Sequence, residues 1–225
     1  VAIAQENGSD SDGNPYKAEK VTLTNSAAGK ITLTGDGSTG IYAKRGDILN
    51  YGIIDVAKNS TAIYLVEDNG SPSTAPVGAT ASNYNTITVG EGSTGLFYKA
   101  ENTGTNLTIA GGISNDGKIE SSSDSVVGMI AQIPSNVTNK IFENQSTGVI
   151  NLQGDKSTGM FADNFKDTLG VVSSGVYTAE NMGTITMANS ASASSPNIGM
   201  FAIDNNKTLV NSRTISGGAN TVGVY

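Results

Sequence analysis

The chain is predicted to be all-β, a parallel β-helix in which short strands wind into about seven stacked coils. Three observations predict it. First, one degenerate phrase recurs along the chain. It reads GDGSTGIYAK ending at Lys44, GEGSTGLFYK ending at Lys99 and GDKSTGMFAD ending at Asp163. Looser copies read KNSTAIYLV, SDSVVGMIAQ, SSPNIGMFAI and GANTVGVY. Second, an isoleucine precedes each copy: Ile31, Ile54, Ile87, Ile119, Ile150, Ile185 and Ile215, spaced by 23, 33, 32, 31, 35 and 30 residues. A phrase repeated at such a period marks a solenoid, whose coils bury their faces against neighbouring coils. Third, the repeats contain short runs rich in Thr, Val and Ile (KVTLTN, KITLTG, NTITVG, GTITMA) broken by Gly, Asn, Asp and Ser, and no apolar spacing of helical period.

Each repeat supplies about three such runs. The first strand ends at an asparagine: Asn25, Asn50, Asn83, Asn115, Asn144, Asn181 or Asn211. This residue tolerates a tight corner, and its amide can bond its equivalent one coil away. The second strand is centred on the isoleucine, preceded two residues earlier by Gly29, Gly52, Gly117, Gly148 or Gly183, with Asn85 and Arg213 as exceptions. The isoleucines are expected to stack in the core. The third strand carries the phrase itself. Alternation there sorts Thr39, Ile41 and Ala43, with Thr94, Leu96, Tyr98 and Thr158, Met160, Ala162, onto the inner face. The other face would carry an outward column, Tyr42, Tyr64, Phe97, Ile130, Phe161, Phe201 and Tyr225, beside a floor of glycines. A contiguous exposed column of this kind would be a binding strip. If the third strand turns a corner, both positions would instead face the core.

The chain reads as a single β-helix segment over 1–225, with regular repeats from about residue 21 and interruptions near 5–20, 66–84, 132–142 and 188–198. Both termini fall in mid-phrase, so it is expected to be a slice of a longer solenoid. The second interruption, VEDNGSPSTAPVGATASNY, should protrude, and protruding insertions on solenoids are frequent binding elements. It makes Glu67, Asp68 and Tyr84 candidate ligand contacts alongside Tyr42, Tyr64 and Phe97. Arg45-Gly46-Asp47 is an integrin-type tripeptide in a predicted turn, although a strand following it could clamp Asp47. Asp10, Asp12 and Asn14 place oxygens at alternate positions, but Gly13 and Pro15 break the calcium-loop pattern, so no metal site is expected.

Composition excludes several functions. A net charge of −7 with two arginines in 225 residues argues against nucleic acid, which demands a basic surface. There is no cysteine and no histidine, which removes disulfides, Ser-His-Asp and Cys-His nucleophiles and His-based metal sites. No apolar run approaches the ~20 residues of a membrane helix.

The phrase N-x-G-x-I…S-T-G-I-Y-A, carried by Asn50, Gly52 and Ile54 and by Ser38–Ala43 and Ser157–Ala162, resembles passenger domains of monomeric (type Va) autotransporters, above all the large fusobacterial adhesins. The resemblance runs from about Val21 to Tyr225. It implies a right-handed helix displayed on the bacterial outer surface, with an outer-membrane barrel beyond this segment. It also implies a monomer without cofactor that binds a host glycan, a host protein receptor or partner bacteria. Two other functions remain open. A stalk would hold a distal tip away from the cell. A polysaccharide-degrading β-helix enzyme would need paired carboxylates on one coil face, and none is evident at adjacent coils in the sequence.

Overall fold

The computed structural model describes residues 2–5, 21–68, 78–101, 107–108, 111–134, 137–138, 141–166, 170, 172–204 and 206–225. These form a right-handed parallel β-helix with three strands per coil and no helix among them.

The first sheet stacks Thr22–Asn25, Asp47–Asn50, Thr80–Asn83, Gly112–Asn115, Ile141–Asn144, Tyr177–Asn181 and Lys207–Asn211. The second stacks Lys30–Leu33, Ile53–Val56, Thr86–Val89, Lys118–Ser121, Val149–Leu152, Thr184–Met187 and Thr214–Ser216. The third begins one rung earlier with Ile3–Gln5 and continues through Thr39–Lys44, Thr61–Asp68, Thr94–Glu101, Val127–Ile133, Thr158–Lys166, Asn197–Ala202 and Thr221–Val224. Val172–Ser173 adds an antiparallel strand to the end of Thr158–Lys166. Leu107–Thr108 and Val137–Thr138 pair in a small sheet outside the coils.

The predicted isoleucine column is the core of the second sheet. Ile31, Ile54, Ile87, Ile119, Ile150, Ile185 and Ile215 are register partners from coil to coil. The five central ones are fully buried. The asparagines form an amide ladder. Asn25 Nδ2 donates to Asn50 Oδ1 at 2.8 Å, Asn50 to Asn83 at 2.7 Å, and the chain of bonds continues through Asn115, Asn144, Asn181 and Asn211 at 2.8 Å each. Each of the five inner amides is thus donor and acceptor at once, which satisfies buried polar groups at the corner between the first and second sheets.

Six of the seven corners between the second and third strands place a left-handed residue just before the phrase: Gly37, Asn59, Gly92, Ser125, Lys156 and Asn220 have φ of 69°, 51°, 66°, 58°, 55° and 54°. Glycine and asparagine adopt this region at least cost. The serine that follows points inward. Ser60 Oγ accepts from Ser38 N and Ser93 Oγ from Ser60 N, both at 3.0 Å, and Ser157 Oγ accepts from Val126 N at 3.2 Å. This explains the serine of STG: it closes a backbone donor of the preceding coil.

The third strand departs from simple alternation, which corrects two expectations. Thr39, Thr94 and Thr158 are half-exposed, while the glycines after them are buried together with the next residue. The strand bends at the glycine, so its inward set changes phase there. The glycines are therefore no outer floor. A Cβ on Gly95 would meet Gly128 O at 2.5 Å and Ile119 Cγ2 at 2.8 Å, and one on Gly128 would meet Gly159 O at 2.6 Å and Ile150 Cγ2 at 2.8 Å. Glycine is required because the isoleucine column packs onto this backbone.

The interruptions are narrower than the period suggested, because strands enter them from both sides. Within 66–84, Thr61–Asp68 and Thr80–Asn83 belong to coils; within 132–142, so do residues of Val127–Ile133 and Ile141–Asn144. Residues 69–77 and the Asp10–Asn14 motif lie outside the described residues.

Candidate functional site

Beyond the bend, alternation resumes, and it decides which way the aromatic residues face. Tyr42, Tyr64, Phe97, Ile130, Phe161 and Phe201 are register partners on successive rungs, half-buried and facing out, while the residues on either side of each are core or line the next row. Their rings stack. Tyr64 and Phe97 lie 4.8 Å apart and 14° from parallel, Phe161 and Phe201 5.1 Å and 21°, and Tyr225 follows at 5.4 Å from Phe201. Tyr42 meets Tyr64 edge-on at 5.6 Å. The contact surface is thus a ribbon of ring edges rather than open faces. Burial pushes the Tyr64 hydroxyl up to about 12, with the charge of Glu101 and then Tyr42 adding to it. A polar row runs alongside: Gln132 Nε2 donates to Asp163 Oδ2 at 2.7 Å, and Lys99 pairs with Glu101 at 2.6 Å while lying 5.6 Å over the Phe165 ring.

The candidates near the predicted loop separate. Tyr84 is exposed, at 44%. Glu67 is not on a protruding loop: it is fully buried, and Tyr98 Oη donates a short hydrogen bond to its Oε2. Burial above all, then the charge of Glu67 and that hydrogen bond, holds the Tyr98 hydroxyl well above its ordinary range. Asp68 ends its strand, and its side chain lies outside the description.

The integrin-type reading of Arg45-Gly46-Asp47 is also corrected. Arg45 is 9% exposed with φ 67°, and its N donates to Val66 O at 2.9 Å. Gly46 is buried, and the strand begins at Asp47 rather than after it. Asp47 Oδ1 accepts from Thr80 N at 2.8 Å and from Thr80 Oγ1 at 3.0 Å. The tripeptide is a corner of the solenoid, with Arg45 buried and Asp47 bonded to Thr80 on the next coil.

Two features escaped the sequence reading. Tyr51, 40% exposed, stacks on Tyr84 at 4.8 Å and 10°. Both tyrosines directly follow a ladder asparagine, and that shared position was the signal available. The second is a carboxylate pair: Glu143 and Glu180 are register partners on adjacent coils, contrary to the expectation of none. Burial raises the Glu143 carboxyl, and Glu180 and Asp116 push it the same way against the Gln145 amide. The pair is half-exposed on the outward face of the first sheet, where Glu143 accepts from Gln145 Nε2 and Glu180 Oε1 from Ser212 Oγ at 3.0 Å. Among the described residues no group of three or more carboxylates is placed to hold a metal.

The relationship to known proteins fits this architecture. Residues 3–166, well over half of the chain, match the family described as the BigA third pectate lyase-like domain. The chain belongs to that family. A BigA-type pectate lyase-like domain agrees with the three-sheet parallel coil, and it fits a passenger-type β-helix of a surface-exposed bacterial protein. No curated protein and no solved structure matches the chain.

Proposed function

We propose that the chain is the β-helical passenger segment of a bacterial autotransporter-type adhesin, displayed outside the outer membrane and binding a host glycan or protein receptor, or partner bacteria, without catalysing a reaction. The observation that carries this reading is the outward aromatic ladder through Tyr42, Tyr64 and Phe97, which runs from coil to coil on a domain of the BigA-type family. Stacked, half-buried rings present a rigid apolar strip that loses little entropy when it is covered. Half-buried Lys99 and Gln132 border the strip, as a polar rim borders the core of an interface, and buried Asp163 holds the Gln132 amide.

The non-catalytic part rests on the setting of the carboxylates. Glycoside cleavage requires two carboxyl groups flanking a bound sugar ring. Glu143 and Glu180 stand on one outward sheet face, so no opposing wall positions a ring between them. A stalk is the second reading, favoured by the unbroken asparagine and isoleucine columns, which suit a rigid spacer.

The test is adhesion of the purified chain to host cells, a glycan array and a panel of bacteria, compared with Tyr64→Ser/Phe97→Ser. The expected result is binding by the parent chain and at least tenfold weaker binding by the variant, with the β-sheet circular dichroism retained. Undiminished binding by the variant overturns the ladder as the contact, and absence of binding by both favours the stalk. Pectin, glycosaminoglycan and mucin glycans should yield no new reducing or unsaturated ends. Release that disappears in Glu143→Gln would make the protein an enzyme.

A further inference from the structure

The ladder lies on the third sheet. A separate apolar patch sits at the opposite corner, where the first sheet turns into the second. Tyr51, Ile53 and Tyr84 are 40%, 38% and 44% exposed, at positions where other coils place Ser26, Gln145 or Thr86. Leu49, half-exposed on the first sheet, flanks Tyr51 on the other side. The tyrosine pair is held in place: Tyr84 N donates to Asn50 O at 2.8 Å, Asn85 Nδ2 donates to Tyr51 O at 2.7 Å, and the rings stack at 4.8 Å. Exposed apolar side chains fixed in this way are the preorganised centre of an interface rather than scattered surface residues.

The next rung of the same corner changes character. Asp116 N donates to Asn83 O at 2.8 Å, the bond that Tyr84 makes to Asn50 one coil earlier, so Asp116 succeeds Tyr84 in the column. Glu143 and Glu180 follow beside it on the first sheet. Among the described residues no lysine or arginine forms an ion pair with these three carboxylates: Lys118 pairs with Glu120, Arg213 Nη1 donates to Ser146 O at 2.7 Å, and the Glu143 and Glu180 carboxylates accept only from the neutral donors Gln145 Nε2 and Ser212 Oγ. The surface therefore runs from aromatic to acidic along the axis, about one coil, or ~4.8 Å, at a time.

We propose that this corner docks a basic segment of a protein partner, with an apolar residue on Tyr51 and Ile53 and arginine or lysine residues over Tyr84 and the Asp116–Glu143–Glu180 row. A guanidinium stacks on a tyrosine and forks to a carboxylate, so the order of groups along the corner matches it. A net charge of −7 draws such a partner in. The aliphatic walls at Leu49 and Ile53 offer no hydrogen bonds to sugar hydroxyls, which favours a polypeptide over a glycan. An extended segment along the axis covers the ~10–12 Å from the tyrosine pair to Glu143 in about three or four residues. This surface and its partner go beyond the receptor reading above and stand on a different face.

The experiment uses the chain and three fluorescein-labelled probes: a peptide with one leucine followed by arginines two and four residues later, the same peptide with glutamates for the arginines, and a neutral oligosaccharide. Fluorescence anisotropy should show binding of the arginine peptide alone, weakened at least fivefold by added salt. Tyr84→Ala and Glu143→Gln should each weaken it fivefold or more. Asp124→Asn, which removes one charge from a distant turn, should leave it within twofold. No binding of the arginine peptide, equal binding of both peptides, an effect of Asp124→Asn equal to that of Glu143→Gln, or oligosaccharide binding lost in Tyr84→Ala would overturn the proposal.

Discussion

Replacing Asn115 by alanine removes the central rung of the amide ladder, and the cost can be worked from its bonds. The side chain is fully buried. Its Oδ1 accepts from Asn83 Nδ2 at 2.8 Å, and its Nδ2 donates to Asn144 Oδ1 at 2.8 Å and to Gly117 O at 3.2 Å. Asn83 Nδ2 keeps a second acceptor, Asn85 O at 2.8 Å, so its loss is one bond of about 1 kcal/mol. Asn144 Oδ1 is left facing a methyl group in a buried corner, which costs about 1–3 kcal/mol. The sum is about 2–4 kcal/mol. Asn211 makes the opposite case: it is exposed at the last rung, and it accepts one amide bond, from Asn181, which retains Thr214 O at 3.2 Å. Asn211→Ala should therefore cost under about 1 kcal/mol. Urea denaturation followed by circular dichroism should lower the Asn115→Ala midpoint by about 1 M, taking a slope of about 2–3 kcal/mol/M. The Asn211→Ala midpoint should move by less than a third of that. Equal shifts for the two variants would refute the ladder as an energetic spine, since only Asn115 is buried and bonded to a ladder amide on both sides. A reduced slope in Asn115→Ala would mean that the coils on either side have begun to unfold separately, as nearest-neighbour coupling allows.

Two further outcomes follow from the core. Gly128→Ala should destabilise the chain by about 1–3 kcal/mol, the usual cost of overpacking, because its Cβ would meet Gly159 O at 2.6 Å and Ile150 Cγ2 at 2.8 Å; the same change made in an Ile150→Ala background, which lacks the Cγ2 methyl, should cost less, and an equal cost in a thermal melt would count against that contact. Tyr98 holds its proton more tightly folded than unfolded, so its contribution is complete below its ordinary value of 10.0 and is lost as the pH rises above it. Tyr98→Phe should be less stable at neutral pH, since Glu67 Oε2 loses its donor, and should lose less of its remaining stability between about pH 9.5 and 11 than the parent; identical pH slopes would show that Tyr98 does not carry the alkaline limb.

The charge pattern along the axis links the fold to the proposed contacts. Because every coil repeats the same three strands, a surface position is a column, and a change of residue type along a column becomes a gradient on the molecule. The column after the asparagines passes from Tyr51 and Tyr84 to Asp116 and Gln145 in this way, whereas the third-sheet column stays aromatic or apolar from Tyr42 to Phe201. The two faces therefore differ in the chemistry they can meet.

Periodicity alone determined the architecture. Strand side chains alternate and coils stack in register, so the isoleucine of each repeat reads as a core column, and the asparagine four or six residues before it reads as a corner. Alternation offered an outward side for Tyr42, Tyr64 and Phe97 but left open a corner that would turn them inward, and only the structure, with each half-buried between two buried neighbours, decides for the outward side. Only the tertiary structure decided what happens at the bend. The isoleucine methyl groups approach the backbone at Gly95 and Gly128 too closely for a Cβ, and this turns the glycines inward and the threonines outward. It likewise decided that Glu67 lies under Tyr98, that Asp47 is clamped by Thr80, and that Glu143 meets Glu180. These partners lie 31, 33 and 37 residues apart in the chain, so their meeting depends on how many residues each turn absorbs. The repeat phrase does not encode that number, because turns vary in length while the strands between them keep their register.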